Sequence, residues 1–255
     1  MPCEFQSWWD FQKFSETVRR SSRYIHSQFV TDFLAALLQT SESRRRTLTA
    51  GKFLWRAQLG GTTEEREQDD VIWEESVPYP SARMKPLPHS AHEGRANPKG
   101  IPCLYLATDK ETAMAEVRPW LGTSVSAGQF RLLRDLTVVD FSVGHDSKFE
   151  FYFDEPSAED REKSVWFQVD RAFSEPAIAD PATADYVPTQ VISEFFKKNG
   201  FDGVAYKSRL GAGYNIALFD LNAAALVNCA LFPVKSVSFG FGEPEQAYRV
   251  HEADN

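Results

Sequence analysis

Arg56, Glu116 and Ser208 are the residues of this chain whose types and settings ask for a chemical explanation. Arg56 stands in FLWRAQL (53–59), where Phe53, Trp55, Ala57 and Leu59 alternate with Leu54, Arg56 and Gln58, the period-two pattern of a strand. An arginine there either lies on an edge with its head in water or offers a fixed fork of donors to a phosphate or carboxylate. Glu116 falls in the last turn of a helical pattern that begins near Asp109 and stops before Pro119, on the face of Thr112 and Ala113. A carboxylate in that turn opposes the helix dipole, at a cost of roughly 0.3–1 kcal/mol unless Lys110 or Arg118 offsets it. Ser208 closes GVAYKS on the face of Val204 and Tyr206 and, taken singly, reads as the start of a turn. Tyr105, mid-strand in PCLYLAT, reads singly as core with a satisfied hydroxyl. His89 and His92 lie in a proline-rich stretch with no third ligand at a recognisable spacing, so no metal is expected.

The elements that must position these side chains follow from periodicity. Phe11, Phe14 and Val18, then Phe29, Phe33, Leu34, Leu37 and Leu38, recur at helical spacing, so residues 1–40 predict a helical extension, with SESRRR (41–46) as its connection. From Lys52 the period becomes two. Residues 61–100, rich in proline, glycine and charge, predict a long irregular excursion, and such loops are usually functional or mobile. PCLYLAT (102–108) predicts a strand, and Thr108 with Glu111 has the spacing of a capping box for the helix after it. FRLLRDLTVVDFS predicts one or two strands, and residues 142–187 carry no clear pattern. PTQVISEFFKKNG predicts a helix with Pro188 in its first turn and Lys197 and Lys198 at its negative end, before Gly200. GVAYKS and NIALFD predict two strands around RLGAGY, and VKSVSFGF a last one. The fold class is therefore α+β: a strongly twisted, mixed or antiparallel β core with flanking helices.

Composition narrows the function. Thirty-six acidic against 28 basic residues leave a net charge of −8, which disfavours a broad nucleic-acid face, because phosphate contacts need clustered cations. The expected partner is a small molecule or a protein. Cys3, Cys103 and Cys229 are too few and too scattered for a disulfide framework or a paired-cysteine zinc site, as suits a cytoplasmic protein. The first residues lack a basic region followed by an apolar one, and no apolar run approaches 18 residues, so a soluble, non-exported chain with no membrane partner is expected.

In order and context, WRA (55–57), the loop of Gly94, Arg95 and Asn97, LYLAT followed by AEVR (115–118), and FDGVAYKS (201–208) before NIALFD resemble the RES domain family. That family is named for an arginine, a glutamate and a serine, here Arg56, Glu116 and Ser208, and the resemblance covers roughly residues 50–225. It implies a fold like that of ADP-ribosyltransferases over 49–255, with 1–48 as an added helical extension. It also implies NAD as substrate and a toxin-like role, often beside an antitoxin that blocks the active site. Whether this chain has such an antitoxin, or acts as a toxin, is left open by the extension, and homo-oligomer formation is open too. On this reading Arg56 grips a phosphate, and Glu116 faces the ribose where positive charge develops. Ser208 holds ribose or phosphate and is not a nucleophile, since no histidine base pairs with it. Tyr105 stacks on nicotinamide or lines its slot, Arg95 is a second phosphate contact, and Asn215 is a polar lining residue. Cleavage of the nicotinamide–ribose bond would pass ADP-ribose to water or phosphate, as in an NAD glycohydrolase or phosphorylase. The alternatives are an ADP-ribosyltransferase acting on a protein, or a RES-like module that binds a dinucleotide or a partner without turning it over.

Two other classes compete weakly. Gly211 and Gly213 precede a strand-like segment instead of opening a helix, which argues against a Rossmann dehydrogenase. Arg20 and His26, separated by the five residues SSRYI near a helix junction, resemble the motif of HEPN ribonucleases, but the net acidity is unhelpful to RNA binding.

Overall fold

The computed structural model describes residues 4–88, 90–147, 152–154, 156–175 and 184–243. Among these residues five α-helices lie at Asp10–Arg20 (α1), Gln28–Thr40 (α2), Lys110–Glu116 (α3), Ala158–Ser174 (α4) and Val187–Lys198 (α5). The strands are β1 (Arg45–Leu48), β2 (Phe53–Leu59), β3 (Thr62–Gln68), β4 (Val71–Val77), β5 (Leu104–Ala107), β6 (Ser124–Leu132), β7 (Leu136–Asp140), β8 (Gly203–Lys207), β9 (Tyr214–Leu218) and β10 (Ala224–Pro233). Eight of them form one sheet in the order β1-β7-β8-β9-β5-β2-β6-β10, while β3 and β4 pair only with each other. In the large sheet β7 and β8 are parallel and every other neighbouring pair is antiparallel. The α+β class and the mixed, mostly antiparallel core match the expectation from sequence. No helix among the described residues is long and apolar enough to cross a membrane.

Alternation along the strands divides the interior in two. Val139, Val204, Tyr206 and Ala217 face a helical layer in which Phe14, Phe33, Trp166, Phe173 and Phe196 are buried. Val138, Leu54, Leu106, Phe130, Ile216 and Leu218 face the other way and are covered by Met84, which is fully buried. The N-terminal helices thus share the core of the sheet, and Phe14 stacks on Phe33 with ring centroids 4.5 Å apart. Thr40, at the end of α2, ties the layer together: its hydroxyl donates to the Ala36 carbonyl at 2.8 Å and accepts from Trp166 Nε1 at 3.0 Å. Thr40→Val would leave that indole N–H buried without an acceptor, and is expected to lower unfolding stability by about 1–2 kcal/mol in urea titration.

Several elements differ from the sequence expectation. Residues 41–46 do not simply connect: Ser41–Arg44 is a turn of 3₁₀ helix, and Arg45 and Arg46 begin edge strand β1. The 61–100 excursion contains the β3–β4 hairpin, whose turn residues Asp69 and Asp70 adopt φ of 52° and 63°, as a two-residue hairpin turn requires. Its residues are almost all exposed and Glu65 stands opposite Glu74, so no hydrophobic alternation announces it. Helix α4 occupies the stretch that gave no pattern. The last strand is β10, and residues 234–243 after it carry no regular structure. Helix α3 is capped by Asp109, whose carboxylate accepts from Thr112 N at 2.8 Å, and not by Thr108.

Candidate active site

The site begins with a gap in the sheet. β2 pairs with β6 through seven successive residues but with β5 only at Trp55↔Ala107. Past that point the two strands part, and the Tyr105 carbonyl is left facing the seam. Arg56 fills the place of the missing ladder bond by donating from Nη1 to that carbonyl at 3.1 Å. Its Nε is buried with no hydrogen-bond partner. Burial lowers the Arg56 pKa to about 10, with Arg83 nearby adding to the effect, so it is a full cation at neutral pH. A half-buried cation at a cavity wall is suited to take an anion there. The alternation expected of β2 does not put its aromatic face in the core. Phe53 is 46% exposed and Trp55 half-buried, whereas Leu54, on Arg56's own face, is wholly buried.

On the α3 side of the seam lies a cavity of about 300 Å³, lined by Arg56, Arg95, Tyr105, Glu116, Tyr206 and Asn215 among others. Glu116 reaches it from the end of α3, where the chain turns away through Arg118 at φ 48°. Neither Lys110 nor Arg118 pairs with its carboxylate. Glu116 Oε1 instead accepts from Ser208 Oγ and from Asn215 Nδ2, both at 2.6 Å. Oε2 has no hydrogen-bond donor among the described residues, and the side chain is exposed at the cavity mouth. The arrangement fixes one oxygen with neutral donors and leaves the negative charge available to whatever enters.

Ser208 is buried and outside the cavity lining. Its hydroxyl donates to Glu116 and accepts from Leu210 N and Gly211 N, each at 3.1 Å. A serine hydroxyl has one proton and two lone pairs, so nothing remains for a ligand. In this geometry Ser208 is a positioning residue, aiming Glu116 and pinning the loop between β8 and β9. The loop must lie close to α3, because a Cβ on Gly213 would sit 1.8 Å from Asp109 Oδ2. Ser208→Ala is expected to lower kcat about tenfold through the lost hydrogen bond to a charged group, with KM little changed. Ser208→Thr, which keeps the hydroxyl, should restore most of the rate; a steady-state comparison of the two variants checks this.

Arg95 lines the cavity, but its Nη1 donates to the Ala172 carbonyl at 3.1 Å and its Nη2 to the Glu175 carbonyl, at the C-terminal end of α4. Those bonds suit a cation at the negative end of a helix dipole and leave little of the fork for a phosphate. Tyr105 presents its ring to the cavity, while its hydroxyl donates to Asn97 Oδ1 at 2.8 Å and accepts from Ala96 N at 2.9 Å. Burial raises its pKa well above the ordinary tyrosine value. Gly94 is needed in that loop, since a Cβ there would meet the Tyr105 hydroxyl at 2.6 Å.

Tyr206 was not singled out in the sequence. It is 5% exposed, its ring packs 5.7 Å from that of Phe173, and its hydroxyl has no hydrogen-bond partner among the described residues. Burial pushes its pKa upward, so it is a neutral donor near the Glu116 carboxylate. Its shared face with Val204 and Ser208 was the available signal. Among the described residues no group of three histidine, cysteine or acidic side chains could hold a metal ion. His92 lies in a second cavity, and His89 lies outside the described residues.

Fold and site together define an α+β protein with a split sheet, a half-buried arginine in the split and a carboxylate poised over the adjoining cavity. The RES domain profile matches residues 70–240, two thirds of the chain, and the chain belongs to the RES family. That stretch includes Arg95, Tyr105, Glu116, Ser208 and Asn215, while Arg56 lies ahead of it. A chain in the crystal structure of the M. tuberculosis MbcT-MbcA toxin-antitoxin complex is similar over 77% of this chain and 92% of that one, with 16% identity and a TM-score of 0.40. No curated protein matches the sequence.

Proposed function

We propose that the protein is an NAD-consuming, toxin-like enzyme that cleaves the nicotinamide–ribose bond and passes ADP-ribose to water or phosphate. Membership of the RES family supports the substrate. The observation that carries the reaction is Glu116, held through one oxygen by Ser208 and Asn215 with its other oxygen free, in a cavity shared with the unsatisfied Arg56.

The chemistry follows from these charges. When the bond between ribose C1′ and the nicotinamide nitrogen breaks, the electron pair leaves with nicotinamide, which departs neutral, and positive charge grows on the ribose as in glycoside hydrolysis. The Glu116 carboxylate stabilises that charge where it forms, and can hydrogen-bond the ribose hydroxyls or orient the acceptor. Arg56 takes a phosphate oxygen of the dinucleotide. The aromatic walls formed by Tyr105 and Tyr206 offer the nicotinamide a flat apolar slot. An acceptor oxygen then bonds to C1′ and gives up its proton to solvent or, for an instant, to Glu116.

Incubation with labelled NAD, with and without inorganic phosphate, tests the proposal. Free ADP-ribose or its phosphorylated form, with one equivalent of nicotinamide, is the expected result. Label on protein would redirect the reading to an ADP-ribosyltransferase, and an absence of nicotinamide release would overturn it.

A further inference from the structure

The cavity at Glu116 is only part of the cleft. Arg56 and Tyr105 also form the wall of a second cavity of about 490 Å³ at the open end of the seam, which Gln58, Arg83, Lys85 and His92 help to line. The first cavity stands at the small end of the range of about 300–1,000 Å³ that encloses drug-sized ligands, so it suits one half of a dinucleotide and not both.

We infer that the second cavity is the subsite for the adenosine-diphosphate half of the substrate, with Arg83 and Lys85 joining Arg56 on the phosphates. The inference rests on the NAD reading above and adds residues to it. Arg83 and Lys85 have no acidic partner among the described residues, although the chain as a whole carries a net charge of −8. They are also held in place. Met84 between them is fully buried in the second core, which fixes the backbone that carries both cations. Gln58, two positions beyond Arg56 on β2, donates from Nε2 to the Arg83 carbonyl at 2.7 Å. The Arg83 guanidinium rests 5.2 Å over the Tyr79 ring. Three cations without counter-charges among the described residues therefore converge on one opening, and Arg56 lines both it and the Glu116 cavity. A diphosphate bridging the two cavities is the chemical group that would satisfy this set.

Calorimetric titration of the full chain with ADP, which lacks the nicotinamide riboside, is the test. The wild type should bind ADP, and adenosine at least about tenfold more weakly, because charge-assisted bonds to the phosphates supply the difference. The Arg83→Ala/Lys85→Ala double variant should lose about tenfold or more in ADP affinity, and Lys85→Glu should lose at least as much. Equal ADP affinity in the wild type and in folded variants, or no ADP binding by the wild type, would overturn the subsite. Nicotinamide release measured on the same samples separates the two ideas. Release from a wild type whose ADP affinity ignores Arg83 and Lys85 refutes the subsite alone. ADP bound through these residues without release upholds the subsite and refutes the reaction.

Discussion

Glu116→Gln is expected to lower kcat for nicotinamide release by about 10²–10³-fold, the usual cost of removing one electrostatic stabiliser from a transition state. The substitution keeps the side-chain shape, and the remaining carbonyl oxygen can still accept from Ser208 and Asn215, so the loop between β8 and β9 should keep its place. What disappears is charge. If Glu116 acts on the growing positive charge of the ribose, the loss falls on kcat while KM for NAD moves little. The fold should tolerate the change, and a carboxylate removed from the last turn of α3 relieves a dipole conflict worth roughly 0.3–1 kcal/mol. A melting temperature equal to or above the wild type, combined with a severe rate defect, is the expected pair of measurements. A rate within a few-fold of the wild type would remove Glu116 from the chemistry and leave it a surface carboxylate that caps a loop.

The residues singled out in the sequence converge in space, whereas several elements around them were hidden from it. Arg56, Arg95, Tyr105, Glu116 and Asn215 line one cavity, and Ser208 touches it through Glu116. What stayed hidden was the division of labour. Nothing in the order of residues says that Ser208 would spend all its bonds on Glu116, Leu210 and Gly211, or that Arg95 would turn its fork to the end of α4. Such facts are set by distances between elements, and a strand pattern carries none. Tyr206 and Arg83 were missed for a related reason: each sits among ordinary strand or loop residues, and only the absence of a partner in three dimensions marks it. In the fold, α4 was obscured because Ser164, Gln168, Asp170 and Ser174 are buried beside Val165, Trp166, Val169 and Phe173, which blurs the apolar stripe. The β3–β4 hairpin escaped because charge on both faces erases the period of two.

Substitutions at Arg56 should separate the need for a cation from the need for a fork. Arg56→Ala is expected to cost about 10²-fold in kcat/KM for NAD, since a buried charge-assisted contact to phosphate disappears with the side chain. Arg56→Lys is more informative because it turns a pH-independent site into a titrating one. The burial that lowers the arginine's pKa to about 10 also disfavours an ammonium, and would lower the pKa of a lysine there from its ordinary value. The charged form is the protonated one, so binding through it is present below that pKa and lost as pH rises through it. Wild-type kcat/KM should therefore stay level between pH 7 and 9, while that of Arg56→Lys, already reduced by the loss of paired donors, should fall by a further factor of about ten over the same interval. The Tyr105 carbonyl that Arg56 caps keeps a donor in the lysine variant and loses it in the alanine variant. A larger fall in unfolding stability for Arg56→Ala than for Arg56→Lys would register that second role independently of turnover. Parallel pH profiles for Arg56→Lys and the wild type would mean that the side chain is not the anion's contact, and the seam between β2 and β5 would then be a structural join and not a binding cleft.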